Sequence, residues 1–195
     1  MTESSGSEDV IQDTLSEAWG IFVNDFVLFV IAGLLMIVVS VASLGLLSGP
    51  LTVGFINLVE RRRQGESGSA TDIFDGFTQF GASLIASILI GVGVFIGMML
   101  LVLPGVLFGL AMAFTFPAIA IDNEDATGAM SASFTIVKEN PAVSLVFLVI
   151  MLVLSGIGTA TAFGTLLTMP FTLVLMTLAY HRLAEPRTSE HSIEV

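Results

Sequence analysis

In 195 residues, 17 Asp and Glu stand against 6 Lys and Arg, a net charge of -11, yet only 12% of the chain is charged and 54% is apolar. A soluble domain carries about a quarter charged residues, and an acidic disordered chain has too little apolar surface to bury rather than too much, so the composition excludes both. The absence of cysteine also excludes disulfides, thiolate metal ligands and Cys nucleophiles.

Residues 1–17 hold five acids and no base, the reverse of the basic leader of a cleaved signal peptide, so no cleaved signal is expected. Residues 1–9 and 184–195 are rich in Ser, Thr and acids without apolar periodicity. They are expected to be disordered, solvated tails on either side of a six-span membrane domain at 10–183.

Three stretches, 26–59, 76–121 and 140–180, contain no charged residue. A single helix over the first would measure about 50 Å against a hydrocarbon core of about 30 Å, so each stretch must fold back. Glycine and proline mark the reversals: Gly45, Ser48, Gly49 and Pro50; then Pro104 and Gly105; then Gly156, Gly158 and Gly164 ahead of Pro170. The second span must begin ahead of Pro50, because a helix over 50–60 would cover only about 16 Å. Spans are therefore predicted at 22–42, 44–61, 82–101, 103–121, 142–159 and 161–180.

A Leu-Leu-x-x-Pro pattern recurs near the start of each even-numbered span, at Leu46 to Pro50, Leu100 to Pro104 and Leu166 to Pro170. A short amphipathic segment precedes each hairpin. The first places Ile11, Leu15, Ala18, Trp19 and Phe22 on one helical face; the second, Ile73, Phe74, Phe77 and Phe80; the third, Ala126, Met130, Phe134 and Val137. Trp19-Gly20-Ile21 also matches Phe134-Thr135-Ile136, with Asn24 and Asn140 following. The expected fold class is all-α: a polytopic membrane helical bundle of six transmembrane helices in three hairpin repeats, each preceded by an amphipathic interfacial helix.

Six spans put every basic residue, Arg61, Arg62, Arg63, Lys138, Arg182 and Arg187, on one side. Lys and Arg in short loops set orientation, so the expected location is the cell inner (cytoplasmic) membrane, multi-pass, with both termini cytoplasmic. The acidic polar faces of the amphipathic segments disfavour capture by anionic lipid, so they dock through apolar burial and tethering.

An ionisable group at mid-bilayer costs about 2.5 to 3.5 kcal/mol and marks a transport path. No predicted span has one at its middle, which counts against an ion-coupled pump with a buried carboxylate. Asp25, Glu60, Asp122 and His181 sit at span ends and read as interfacial anchors. Asp122, Glu124 and Asp125 lack the alternating donor spacing of a Ca²⁺ loop. Standing ahead of a helix that ends at Lys138, they match the helix dipole instead. Asp72 and Asp75 read as a solvated helix face, and Arg61 to Arg63 as the topogenic signal rather than a lipid-phosphate site. His181 and His191 cannot assemble a zinc or haem site. The pairs Gly45 and Gly49, Gly93 and Gly97, and Gly105 and Gly109 each put two small residues on one face, for close packing within the bundle. No catalytic, cofactor-binding or metal-ligating residue is assigned and no cofactor is expected.

The order of amphipathic segment, hairpin, Arg-terminated short span, Leu103-Pro104-Gly105, acidic turn at Asp122 and loop helix from Ser133 to Asn140 resembles a group of uncharacterised prokaryotic six-span membrane proteins. That group is related to the membrane domain attached to some glycerophosphodiester phosphodiesterases. The resemblance covers most of 19–183, includes no phosphodiesterase catalytic domain and carries over no functional residue. The expected function is that of a non-enzymatic integral membrane protein acting through membrane packing, lipid contact or a membrane partner. The alternative is a small permease or channel for a neutral or weakly polar solute lined by Ser, Thr and Asn57. Expected partners are the lipid bilayer and a membrane protein or second copy of the chain, and no nucleic acid.

Overall fold

A computed structural model describes residues 3–160 and 164–191, with side chains at 8–101, 103–160 and 164–184. The start of the expected sixth span, 161–163, and residues 1–2 and 192–195 of the expected tails lie outside the described residues. All regular structure within them is helical: α1 Glu3–Asn24, α2 Phe26–Ala42, α3 Ser48–Arg63, a 3-10 helix Ala70–Gln79, α4 Phe80–Leu100, α5 Val102–Ala111, α6 Thr115–Asp122, α7 Ala126–Glu139, α8 Pro141–Ala160 and α9 Gly164–His191. Residues 3–9 thus belong to α1 and 184–191 to α9.

Four helical runs are long and apolar enough to cross a bilayer: Ala70–Leu100, Leu103–Asp122, Pro141–Ala160 and Gly164–Ala184. A fifth is counted if α1 and α2, which meet at an 88° bend, form one broken span. Helix α3, with 16 residues, covers about 24 Å and falls short by length. It begins at Ser48, four residues after the expected start at 44, because the turn takes Leu44 and Gly45 at φ 53° and 83°. Gly45 therefore serves the turn and meets nothing a side chain would touch, which corrects its reading as a packing residue.

Helix α3 is the best-buried element, with Leu51, Val53, Phe55, Ile56, Leu58 and Val59 fully enclosed. Against it lie the 3-10 helix, α2, α4, α6 and α9. Between helices in lipid, burial of apolar surface supplies little drive, so close approach has to supply contact energy instead. Glycine makes that approach here. A methyl group on Gly54 would strike the carbonyl of Ile73, and one on Gly76 the carbonyl of Pro50 and the backbone of Gly54. One on Gly97 would stand 2.7 Å from the Cα of Gly105, and one on Gly33 would stand 2.6 Å from the Pro170 ring. Gly49, Gly93, Gly97 and Gly105 pack inside the bundle as expected, whereas Gly109 makes only an ordinary contact, 3.8 Å from Val94.

The amphipathic segments form helices with rotated faces. In the 3-10 helix a period of three places Ile73 and Gly76 inward. The same period ladders Phe74, Phe77 and Phe80 on another side, with ring centroids 6.2 and 5.9 Å apart. In α7 the buried residues are Ala126, Ala129, Ser133 and Ile136, not Met130 and Phe134. In α1, Thr14, Ala18 and Phe22 are buried while Trp19 is exposed. Each segment packs on the second helix of another hairpin: the 3-10 helix on α3, α7 on α6, and α1 on α9.

The expected single helix at 103–121 is broken at 112–114. Pro117 favours the break, since its ring crowds the Ala113 carbonyl in a continuous helix, although α9 runs on through Pro170. With α6 starting at Thr115, the proline falls in a first turn, where its missing N–H is not needed. The buried hydroxyl of Ser133 fills the break, accepting from Phe114 N at 3.0 Å and donating to the Ala111 carbonyl at 2.7 Å.

Candidate functional site

Two polar constellations stand out against this apolar frame. The first gathers around the C-terminal end of α3. Asp25, at the bend between α1 and α2, accepts from Arg62 Nε at 3.0 Å and Nη2 at 2.5 Å. Arg61 reaches Asp72 at 3.2 Å and Asp75 at 2.7 Å, so these two acids clamp the 3-10 helix to α3 rather than forming only a solvated face. Glu60 accepts from Arg63 at 3.0 Å and Gln64 at 2.7 Å, and lies 2.8 Å from His181 Nε2 on α9. Beside His181, Tyr180 donates to Asp122 at the end of α6, and Arg182 reaches Glu17 of α1 at 3.0 Å.

The four span-end residues Asp25, Glu60, Asp122 and His181 each bond a partner from a distant part of the chain, Glu60 and His181 to one another. The arginine run, whose three guanidiniums all bond to carboxylates, presents no free cluster of charge to a phosphate. The acidic trio divides between roles. Asp122 bonds Tyr180, whereas Asp125 caps α7, accepting from Gly128 N at 2.7 Å and the Thr127 hydroxyl at 2.9 Å. The Gly128 amide and then the Thr127 hydroxyl hold the Asp125 carboxyl below the usual aspartate range. Among the described residues no three His, Cys, Asp or Glu side chains are placed to hold a metal ion.

The second constellation is a cleft of about 220 Å³ between α8 and α9, lined by Ser155, Thr159, Thr165, Thr168 and Thr172 with Met169 and Leu173; its exposed surface is mainly apolar, with the hydroxyls a minor part. Gly158 lets α8 approach Thr168 closely enough that a methyl group there would strike its hydroxyl. Threonine at 165, 168 and 172 follows the three-and-four spacing that keeps side chains on one helix face, a signal visible in the sequence but not used to predict a cleft. Beyond Thr172, residues 173–180 of α9 are all buried. Asn57, half-buried on α3, is not part of the cleft.

Four helical runs, or five with the bent α1 and α2 pair, are apolar and long enough to cross a membrane, and α4 and α8 expose long rows of Leu, Ile and Val. The described residues thus form an all-helical chain whose longest apolar helices suit a membrane-embedded bundle. The chain matches no family model, no curated protein and no solved structure.

Proposed function

We propose that this chain is a non-catalytic, six-span inner-membrane bundle acting through packing, lipid contact or a membrane partner, with α3 as its short, enclosed second span. The observation that carries the reading is the mutual bonding around Glu60. The carboxylates, arginines and histidine that proton transfer or phosphate binding would need are engaged with one another across α1, α2, α3, α6 and α9. The threefold repeat is supported by three equivalent dockings, of the 3-10 helix on α3, α7 on α6 and α1 on α9. Matched exposure supports it too: Ala18 and Ser133 are buried, and their successors Trp19 and Phe134 are exposed. The likeness to six-span prokaryotic membrane proteins stands as part of this proposal, as does a cytoplasmic position for both termini.

Because the chain has no cysteine, single-cysteine variants at Glu66 and Leu44 test the topology with a membrane-impermeant maleimide. Leu44 should react in intact cells and Glu66 only after permeabilisation; labelling of both from the same side would overturn six spans. Lipid turnover by the purified chain that is lost in Asp122→Ala would overturn the non-catalytic reading. A second reading, a path for a neutral solute, is favoured by the hydroxyl-bearing cleft between α8 and α9, and saturable solute flux in proteoliposomes would select it.

A further inference from the structure

We propose that the cleft between α8 and α9 is a binding site for a neutral ligand of the polyol class, one presenting two or more O–H groups. The proposal deepens the neutral-solute reading and rests on the donor and acceptor balance of the cleft. A hydroxyl has one proton to give and two lone pairs to receive with. Thr159 donates to the carbonyls of Ser155 and Gly156 at 3.0 and 3.1 Å, and Thr165 to that of Gly158 at 3.1 Å. Thr168 donates to Gly164 at 3.0 Å and Thr172 to Thr168 at 2.7 Å. Four of the five lining hydroxyls, all but that of Ser155, thus commit their protons to helix carbonyls, and their oxygens keep acceptor capacity for a ligand within a mainly apolar cleft.

That balance selects by chemistry. An anion would find these threonine donors already engaged, and no charged side chain lines the cleft to meet it. A cation would lose its water without a countercharge. A ligand with several neutral donors loses least and gains most. The volume of about 220 Å³ is that of roughly seven waters at about 30 Å³ each, which suits a three-carbon polyol or the glycerol end of a lipid. Leu152 and Ile157, exposed on α8, leave a lipid route open beside the aqueous one.

Trp19, the one tryptophan of the chain, stacks edge-on against Phe171 at 5.8 Å, next in sequence to the cleft residue Thr172, and so reports on the site. The full chain, held in a detergent that carries no hydroxyl, is titrated with glycerol, with 1,2-dioctanoylglycerol and with glycerol 3-phosphate while its fluorescence is followed. The expected result is a saturable change with glycerol, marking a free solute, or with dioctanoylglycerol alone, marking a lipid. Thr168→Val with Thr172→Val should weaken it about tenfold through the lost hydrogen bonds. No saturation with either neutral probe, equal binding of glycerol 3-phosphate, or an unchanged response in the double variant would overturn the site. Should circular dichroism show that the double variant does not fold, Thr159→Val, at an exposed position, carries the same test with the same outcomes. Binding without flux would sink the solute path and keep the site, whereas flux without binding would sink the site alone.

Discussion

Replacing Ser133 with alanine removes a hydroxyl that is wholly buried and serves two backbone groups at the break between α5 and α6. The Phe114 N–H and the Ala111 carbonyl are left without that partner, and each orphaned buried group costs roughly 1 to 3 kcal/mol. Some relaxation toward a closed helical turn offsets part of this, so the expected destabilisation is about 2 to 4 kcal/mol. Reversible unfolding in mixed micelles, followed by circular dichroism, measures it. Ser131→Ala, at an exposed position one turn face away, should stay within about 0.5 kcal/mol of the parent and serves as the control. Pro117→Ala removes the ring that favours the break, so the cost of Ser133→Ala should fall by about 1 kcal/mol or more in that background. A Ser133→Ala chain within about 0.5 kcal/mol of the parent would refute the assignment of Ser133 as the group that completes the broken ladder.

Four further outcomes are expected. Gly54→Ala and Gly76→Ala force side chains into backbone atoms where α3 meets the 3-10 helix and should abolish the folded bundle in a thermal melt. Gly91→Ala, where nothing lies within 4 Å, should stabilise the chain by up to about 1 kcal/mol. Arg62→Ala frees the partly buried Asp25 at the 88° bend; a loss of about 1 to 2 kcal/mol in micelle unfolding is expected, together with faster labelling of a cysteine placed at Asn24. Because the Asp125 carboxyl is held below its unfolded value, its cap is fully present above about pH 4 and is lost as pH falls through the lowered folded value. The hydrogen-exchange protection factor of Gly128 should drop across that acid window, and Asp125→Ala should show the lower protection at neutral pH.

What could be read in advance divides along the range of the physics. Uncharged runs and the Gly and Pro between them depend on neighbours in sequence, so α4, α8 and the first two reversals fall near their expected places. The α3 start was missed because only the φ values of Leu44 and Gly45 show how much chain the turn uses. The break at 112–114 did have a local signal, Pro117, whose clash with the residue four positions back is a rule of sequence alone. The aromatic face of 70–79 departs from the expected one because the segment winds with a period of three rather than 3.6. For the polar constellations, composition placed Asp25, Glu60, Asp122 and His181 at helix ends. Their bonding depends on residues 37 to 121 positions away, a distance over which no spacing rule applies.

The docking of α1 on α9, sealed by Glu17 and Arg182, makes the assembly a closed circuit rather than a line. During synthesis α1 gains its main seat only once the α8 and α9 hairpin has been delivered, so among these helices the ring closes late. The circuit also has no privileged starting point. A permutant joined through its original ends and reopened between Gly65 and Gly68 should regain the same arrangement, with the 3-10 helix leading and α3 closing the ring.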